Sequence, residues 1–336
     1  MPKIEPQFII PFAKPSGITS FTSLWQVKHT LGTKKVGHTG TLDSFADGLL
    51  VLLSGKLTKL VPYITDFDKT YRVLFYFGKE TDTLDPEGTV IAEKPLPVYA
   101  DFIAAIRQLI GTIEQVPPVS SAVKQAGERL SDKIRRGETV TVPPRTVTIY
   151  SIDIEEIFYA PEADTDAEKS EIGAAQKVLG AVLYVCCSKG TYIRSLVRDI
   201  AHRCGSAAYV YALRRTAVGP FTLEQAAGFS ALQPFGSAAV STEGAPYSVT
   251  EEEIKRAALP LNEEIAGAMH FQIAVLQEKY YAAFMNGKPI NGHWFTGTQP
   301  LSDGGTIAVF YEKRCAGLII KNGNRFHYQI VFNGAV

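Results

Sequence analysis

The stretch Val36-Gly37-His38-Thr39-Gly40-Thr41-Leu42-Asp43-Ser44-Phe45-Ala46-Asp47-Gly48-Leu49-Leu50 decides how the rest of this chain is read. Glycines and small polar residues surround a carboxylate, and the apolar run of residues 49–53 follows at once. A run of that kind reads as a buried strand, so Asp43 stands on a loop between a helix and the sheet interior, where rigid elements can hold a reactive group. Taken alone, the pattern leaves two roles open for Asp43. It is either a functional carboxylate or a turn or helix cap, as aspartate beside glycine often is.

Upstream, residues 8–12 read as a strand, and Ser20 is a plausible N-cap for a helix ending near Gly32. Downstream, residues 69–78 alternate, with Tyr71, Val73, Phe75 and Phe77 on one face. Residues 99–110 carry helical spacing, Val116-Pro117-Pro118-Val119 breaks it, and residues 146–158 and 177–187 read as further strands. Ser188-Lys189-Gly190 then turns the chain into a helix over residues 191–203. Residues 229–249 are rich in Ser, Ala, Gly and Pro and read as a linker. Thr250 to Glu253 has the spacing of a capping box, and residues 270–332 alternate short apolar runs with Asn-Gly and Gly-Gly turns, predicting a small β-rich body. The expected division is therefore 1–228, a linker over 229–249 and a C-terminal domain over 250–336, and the fold class is α+β.

A chain of 336 residues with 46% hydrophobic content can bury two cores. No run reaches the roughly 20 apolar residues of a membrane helix, and residues 1–7 lack a leader pattern, so a cytoplasmic protein is expected. Cys186, Cys187, Cys204 and Cys315 fit neither a disulfide framework nor zinc spacing, and the six histidines are scattered, so no metal is expected. The net charge of zero hides a separation along the chain. Residues 1–60 carry seven Lys or Arg against three acids, and residues 181–220 six against one, while residues 151–176 hold eight acids and one lysine. Clustered cations with the acids set apart suit phosphate binding, and they also suit ordinary solvated faces.

The motif resembles the active-site signature of the TruB-type tRNA pseudouridine-55 synthases, Gly-His-Thr-Gly-x-Leu-Asp followed by Gly-x-Leu, at Gly37 to Leu50. Further blocks occur in the family's order. They are Lys14-Pro15-x-Gly17-x-Thr19-Ser20, Lys69-x-Tyr71, Gly78-x-x-Thr81-Asp82-Thr83-x-Asp85-x-x-Gly88, Gln115-Val116-Pro117-Pro118-x-x-Ser121-Ala122-x-Lys124, Cys187-Ser188-Lys189-Gly190-Thr191-Tyr192-Ile193-Arg194 and Leu213-Arg214-Arg215. The resemblance covers residues 8–226 and implies a pseudouridine-synthase fold, with a mixed, largely antiparallel sheet and flanking helices. The tail resembles, weakly, the family's small RNA-binding domain of PUA type. The resemblance further implies a stand-alone, cofactor-free isomerase that flips uridine 55 out of the tRNA T-loop, with no guide RNA, acting as a monomer. On it, Asp43 is the catalytic carboxylate, Arg194 its partner and Tyr71 a catalytic and base-contacting residue. Tyr192 and Leu213 complete the base pocket, and His38 enters the T-loop. Lys14, Lys34, Lys35, Lys124, Arg135, Arg136, Arg214 and Arg215 are candidates for the RNA backbone.

The chain departs from the family pattern at Ser44, Asp47 and Ser120. Asp47 adds a second negative charge near Asp43, which raises a carboxylate pKa where both face one cleft. The acidic segment 159–176 looks like an insertion that sits away from RNA. A non-catalytic tRNA-binding protein, a guide-dependent synthase and a metal-dependent hydrolase are the competing readings. Retention of Asp43, Tyr71, Tyr192 and Arg194, the lack of long basic tails and the scattered histidines oppose them in turn.

Overall fold

The computed structural model describes residues 5–118, 124–125, 128–129, 136, 142–161, 173, 175–235, 248–296 and 301–332. Its centre is a nine-stranded mixed sheet. In chain order the strands are β1 (Ile9–Lys14), β2 (Val36–His38), β3 (Asp47–Ser54), β4 (Lys69–Phe77), the small hairpin β5 (Lys79–Thr81) and β6 (Val90–Glu93), β7 (Gly111–Gln115), the two-residue β8 (Lys124–Gln125) and β9 (Glu128–Arg129), β10 (Arg145–Tyr159), β11 (Val178–Cys187), β12 (Ala208–Val218) and β13 (Phe221–Thr222). The sheet runs β1-β3-β12-β4-β11-β10-β7, with β2 beside β3 and β13 beside β12. Every pairing in it is antiparallel except β12 with β3.

Helices α1 (Leu24–Leu31), α2 (Val61–Thr65), α3 (Tyr99–Leu109) and α4 (Ile193–Arg203) flank this sheet. The alternation seen in residues 69–78 has the expected consequence. Tyr71, Val73, Phe75 and Phe77 share one core with Phe102, Ile106 and Leu109 of α3 and Leu196, Val197 and Ile200 of α4. Packing on one sheet face thus fixes α4, whose first turn carries Arg194.

Two local readings change in three dimensions. Helix α1 begins after Ser23, not Ser20. The Ser20 hydroxyl instead accepts from Leu42 N at 2.8 Å and donates to Leu42 O at 3.0 Å. A serine ahead of an amphipathic run looks like a cap, but a buried backbone pair elsewhere in the fold claims its oxygen. Strand β12 crosses the sheet centre, which no periodicity announced.

A second sheet, β14 (Gln272–Leu276), β15 (Phe295–Thr296), β16 (Thr306–Tyr311), β17 (Arg314–Asn322) and β18 (Arg325–Val331), forms the C-terminal β-rich body in the order β15-β14-β16-β17-β18. Helices α5 (Glu251–Ala257), α6 (Glu263–Ala268) and α7 (Glu278–Met285) accompany it. Thr250 caps α5 through the predicted box with Glu253. Helix α5 lays Ile254 and Ala257 against Ile10, Phe12, Leu24 and Val27 of the N-terminal body. Ile9 and Leu259 exchange two backbone hydrogen bonds of 2.8 Å. A further core joins Ile9, Leu49, Val51 and Leu60 to Leu261, Ile265, Phe310 and Leu318, so the two sheets share apolar packing. Most of the acidic segment 159–176 and the central part of 229–249 lie outside the described residues.

Where β3 meets β12 the backbones approach closely at Gly48, whose φ is 106°. A Cβ there would stand 2.4 Å from Arg215 O and 2.7 Å from Arg215 N. Left-handed backbone and a backbone clash act together, so Gly48→Ala is expected to lower stability by roughly 2–5 kcal/mol. A urea titration followed by circular dichroism would show the lowered midpoint; an unchanged midpoint would refute this account of the β3–β12 contact.

Candidate active site

The loop between β2 and β3 carries Asp43 and is held from beneath by buried cations. Arg215, 2% exposed, donates from Nε to Leu49 O at 2.8 Å and from Nη2 to Gly40 O at 3.1 Å. Lys14, fully buried, donates from Nζ to Ile18 O at 2.7 Å, Pro15 O at 2.9 Å and Ser44 O at 3.3 Å. Burial pulls the Lys14 ammonium down to about 8. Arg214 grips Asp47 with both arms of its fork, at 2.8 and 2.6 Å, and donates to Gln233 O at 2.7 Å.

These contacts correct three expectations. Lys14, Arg214 and Arg215, expected at the RNA backbone, are buried instead, with donors turned inward to backbone carbonyls and to Asp47. The same Arg214 fork answers the concern over Asp47, whose charge is engaged by a guanidinium. Lys34 and Lys35 are exposed, as phosphate contacts require, and Arg136 is exposed as well. The side chain of Lys124 and all of Arg135 lie outside the described residues.

Asp43 stands at a cleft of about 570 Å³ lined also by Tyr71, Tyr192, Arg194 and Leu213, within the size range of small-ligand sites. Five residues expected at the reaction centre, far apart in sequence, therefore meet at one cavity. Arg194 Nε lies 2.9 Å from Asp43 Oδ2, and the aspartate side chain keeps 39% of its surface open to the cleft. The guanidinium is 5% exposed and is anchored on its other side: Nη1 donates to Asp85 Oδ2 and to Thr83 O, each at 2.8 Å. Asp85 in turn accepts from the Thr83 hydroxyl at 2.6 Å and from Glu87 N at 3.0 Å. Burial pushes the Asp85 carboxyl above its ordinary value, while the Thr83 hydroxyl, Arg194 and the Glu87 N–H oppose that. The result is a fixed guanidinium bridging a buried carboxylate and an open one.

Asp85 and Thr83 were quoted in the sequence without a role. Their turn has its own signature: Leu84 has a φ of 63°, and a Cβ on Gly88 would stand 2.2 Å from Thr83 Oγ1. A strained non-glycine residue beside an obligatory glycine marks a turn built for one geometry.

Tyr71 sits opposite Arg215 in the β4–β12 register, and its hydroxyl is hydrogen-bonded to the Arg215 side chain. Burial is the main cause raising the phenol above its ordinary value, so the ring enters the site as a neutral donor and an apolar face. Tyr192 N donates to Gln115 Oε1 at 2.8 Å, which fixes the entry into α4 ahead of Arg194. Lys69 also lines the cleft, with its ammonium held by Thr65 O and Phe67 O and drawn down by burial to about 8. His38 is the exception. It lies on β2 opposite Leu52 and outside the cleft lining, half-buried, with Nδ1 buried and lacking a hydrogen-bond partner among the described residues. Burial first, and Arg215 second, lower its pKa, which favours the neutral ring at pH 7.

No redox group or metal is demanded by this donor set. An open carboxylate oriented by a rigid guanidinium suits nucleophilic attack or proton abstraction. The whole-chain fold is that of the pseudouridine synthases. It matches a solved chain from an H/ACA ribonucleoprotein bound to a substrate RNA containing 2′-deoxyuridine with a TM-score of 0.62, at 20% identity over 97% of this chain and 85% of that one. A chain of a Cbf5-Nop10-Gar1 complex matches with a TM-score of 0.61, at 22% identity over 97% and 84%. The model of the TruB family pseudouridylate synthase N-terminal domain matches residues 28–193. Relatives named tRNA pseudouridine synthase B are 41% identical in Treponema pallidum, over 97% of this chain and 98% of the relative, and 43% identical in Treponema denticola, over 98% and 99%. One from Pseudomonas fluorescens is 38% identical over 84% and 82%. The chain belongs to the TruB family of pseudouridine synthases.

Proposed function

We propose that this protein converts uridine 55 in the T-loop of tRNA to pseudouridine, without a guide RNA, using Asp43 as the catalytic carboxylate. The observation that carries the reading is the Asp43–Arg194 pair at 2.9 Å, opening on the cleft lined by Tyr71, Tyr192 and Leu213. In the isomerisation the bond from ribose C1′ to uracil N1 breaks, the base turns, and C1′ bonds to C5. The C5 hydrogen leaves as a proton and N1 gains one, so atoms and electrons balance without a cofactor. Arg194 holds and aims the Asp43 carboxylate, Tyr71 and Tyr192 contact the base, and Leu213 closes the apolar wall.

A uridine reaches such a cleft only after leaving its stack, at a cost of a few kcal/mol. His38, on the strand leading into the motif, is the group assigned to hold the opened loop; its Nδ1 is buried and has no hydrogen-bond partner among the described residues. Lys34 and Lys35 meet the phosphates. Residues 1–228 serve as the catalytic domain and the β-rich tail as a PUA-like RNA-binding domain, in a cytoplasmic monomer. Relatives aligned over nearly the whole chain bear a tRNA synthase name, which favours the guide-free reading over the ribonucleoprotein one.

Tritium release from tRNA carrying 5-tritiated uridine tests this directly, since it follows the C5 hydrogen. Release is expected with protein and tRNA alone, and none once the T-loop target is changed to cytidine. No release despite intact tRNA binding would instead support a non-catalytic RNA-binding protein.

A further inference from the structure

We infer that the exposed face of α1, carrying Trp25 with Phe21 just before the helix, is a stacking platform for unpaired RNA bases near the target uridine. The inference rests on the RNA-modifying reading above and adds a contact outside the reaction cleft. Trp25 and His29 are spaced four apart on α1 and share one face, Phe21 lies in the turn just before the helix, and Leu24 and Val27 turn inward to the core. Phe21 is 71% exposed and Trp25 70%, the highest values among the exposed large apolar side chains of the described residues. A solitary exposed apolar residue is ordinary on a protein surface. Here two aromatic rings four residues apart in the chain stand in water, each with a nitrogen-bearing side chain already against it. Lys28 Nζ lies 5.4 Å from the Phe21 ring centre, and the His29 ring stacks on Trp25 at 5.5 Å with 8° between planes.

Along the segment that bears the patch, the charge is of one sign. Residues 15–42 contain no Asp or Glu but do contain Lys28, Lys34 and Lys35. Cations interleaved with rings are what a single strand asks for, because each nucleotide presents both a phosphate and a flat π-face. A protein partner's apolar side chains would gain nothing from the surrounding ammonium groups. The position also fits. Ser20, next to Phe21, is bonded twice to Leu42, and Gly17 N donates to Ser44 O at 2.8 Å, so the segment leading into the patch is fastened to the residues either side of Asp43. A nucleotide flipped into the cleft leaves neighbours unstacked, and this face offers them replacement partners.

The chain has two tryptophans, and the other, Trp294, is buried. In a Trp294→Phe background the indole emission therefore reports on Trp25 alone. Titration with tRNA is expected to quench it saturably, whereas a fully paired RNA duplex should bind without quenching. Trp25→Ala is expected to raise KM for tritium release by about 5- to 150-fold with kcat nearly unchanged, and Trp25→Phe to recover most of the loss. Tritium release by wild type with no quench by tRNA would overturn the platform while leaving the enzyme reading intact. Emission that changes with protein concentration alone would assign the face to a second copy of the chain and also overturn it. If neither wild type nor Trp294→Phe protein releases tritium, the enzyme reading fails, and the quench still decides whether the face stacks on RNA.

Discussion

Asp43→Asn is expected to bind tRNA as tightly as the wild type and to convert its target uridine at least about 10⁴-fold more slowly, the scale seen when a nucleophile or an essential acid–base group is removed. The substitution changes one oxygen to an NH₂ group and keeps the volume, so the loop between β2 and β3 has no steric reason to move. That loop is held by Arg215 on Leu49 O and Gly40 O and by Lys14 on Ser44 O, none of which involves the Asp43 side chain. An amide can still accept from Arg194 Nε, which preserves the orientation while removing charge and nucleophilicity. Rate and binding therefore separate: single-turnover tritium release falls, and filter-binding affinity stays. Loss of binding with activity retained would remove Asp43 from the centre of the mechanism.

The pairing of Asp43 with Arg194 was legible because recognisable blocks brought both into view, although no spacing rule joins residues so far apart. Strands with one clearly buried face, such as β4, were equally legible, since period-two alternation is a local property. Strand β12 was not. Its sequence, AYVYALRRTAV, places Arg214 and Arg215 side by side, and pleating sends them to opposite faces, where each is buried by a different partner. Alternation of polar and apolar residues disappears when both faces are covered. The same blindness misassigned Lys14, Arg214 and Arg215. A lysine with no exposed surface and a lysine on a phosphate look identical in a string, and what separates them is a set of carbonyls contributed by distant turns. Asp85 escaped notice as an anchor for a related reason: its partner Arg194 lies 109 residues away. The only local hint was the unusual density of Thr, Asp and Gly in its turn.

Arg194→Met tests that anchor, and it is expected to cost stability as well as rate. Methionine fills a similar length but donates nothing, so Asp85, with a side chain only 5% exposed, keeps its Thr83 and Glu87 donors and loses its cation. Stranding a buried carboxylate in this way costs about 3–5 kcal/mol. The penalty should depend on pH with a definite sign. Burial already holds the folded-state Asp85 pKa above its ordinary value of 3.8, and removing Arg194 deletes one of the influences that keep it down. A folded state that binds its proton more tightly than the unfolded chain loses stability as pH rises from the unfolded value through the folded one. The variant should therefore lie nearest to wild type below about pH 4, where Asp85 is protonated in both states, and furthest from it above the raised folded value. Urea unfolding at pH 4 and pH 7 reads this difference, and a gap that widened toward acid would contradict the assignment of the penalty to Asp85. Adding Asp85→Asn to Arg194→Met removes the stranded charge and should return most of the stability at pH 7. Activity should not return with it, because Asp43 still lacks the guanidinium that aims it. Recovery of stability without recovery of kcat would separate the two carboxylates' claims on one arginine, with Asp85 fixing where Arg194 stands and Asp43 using it.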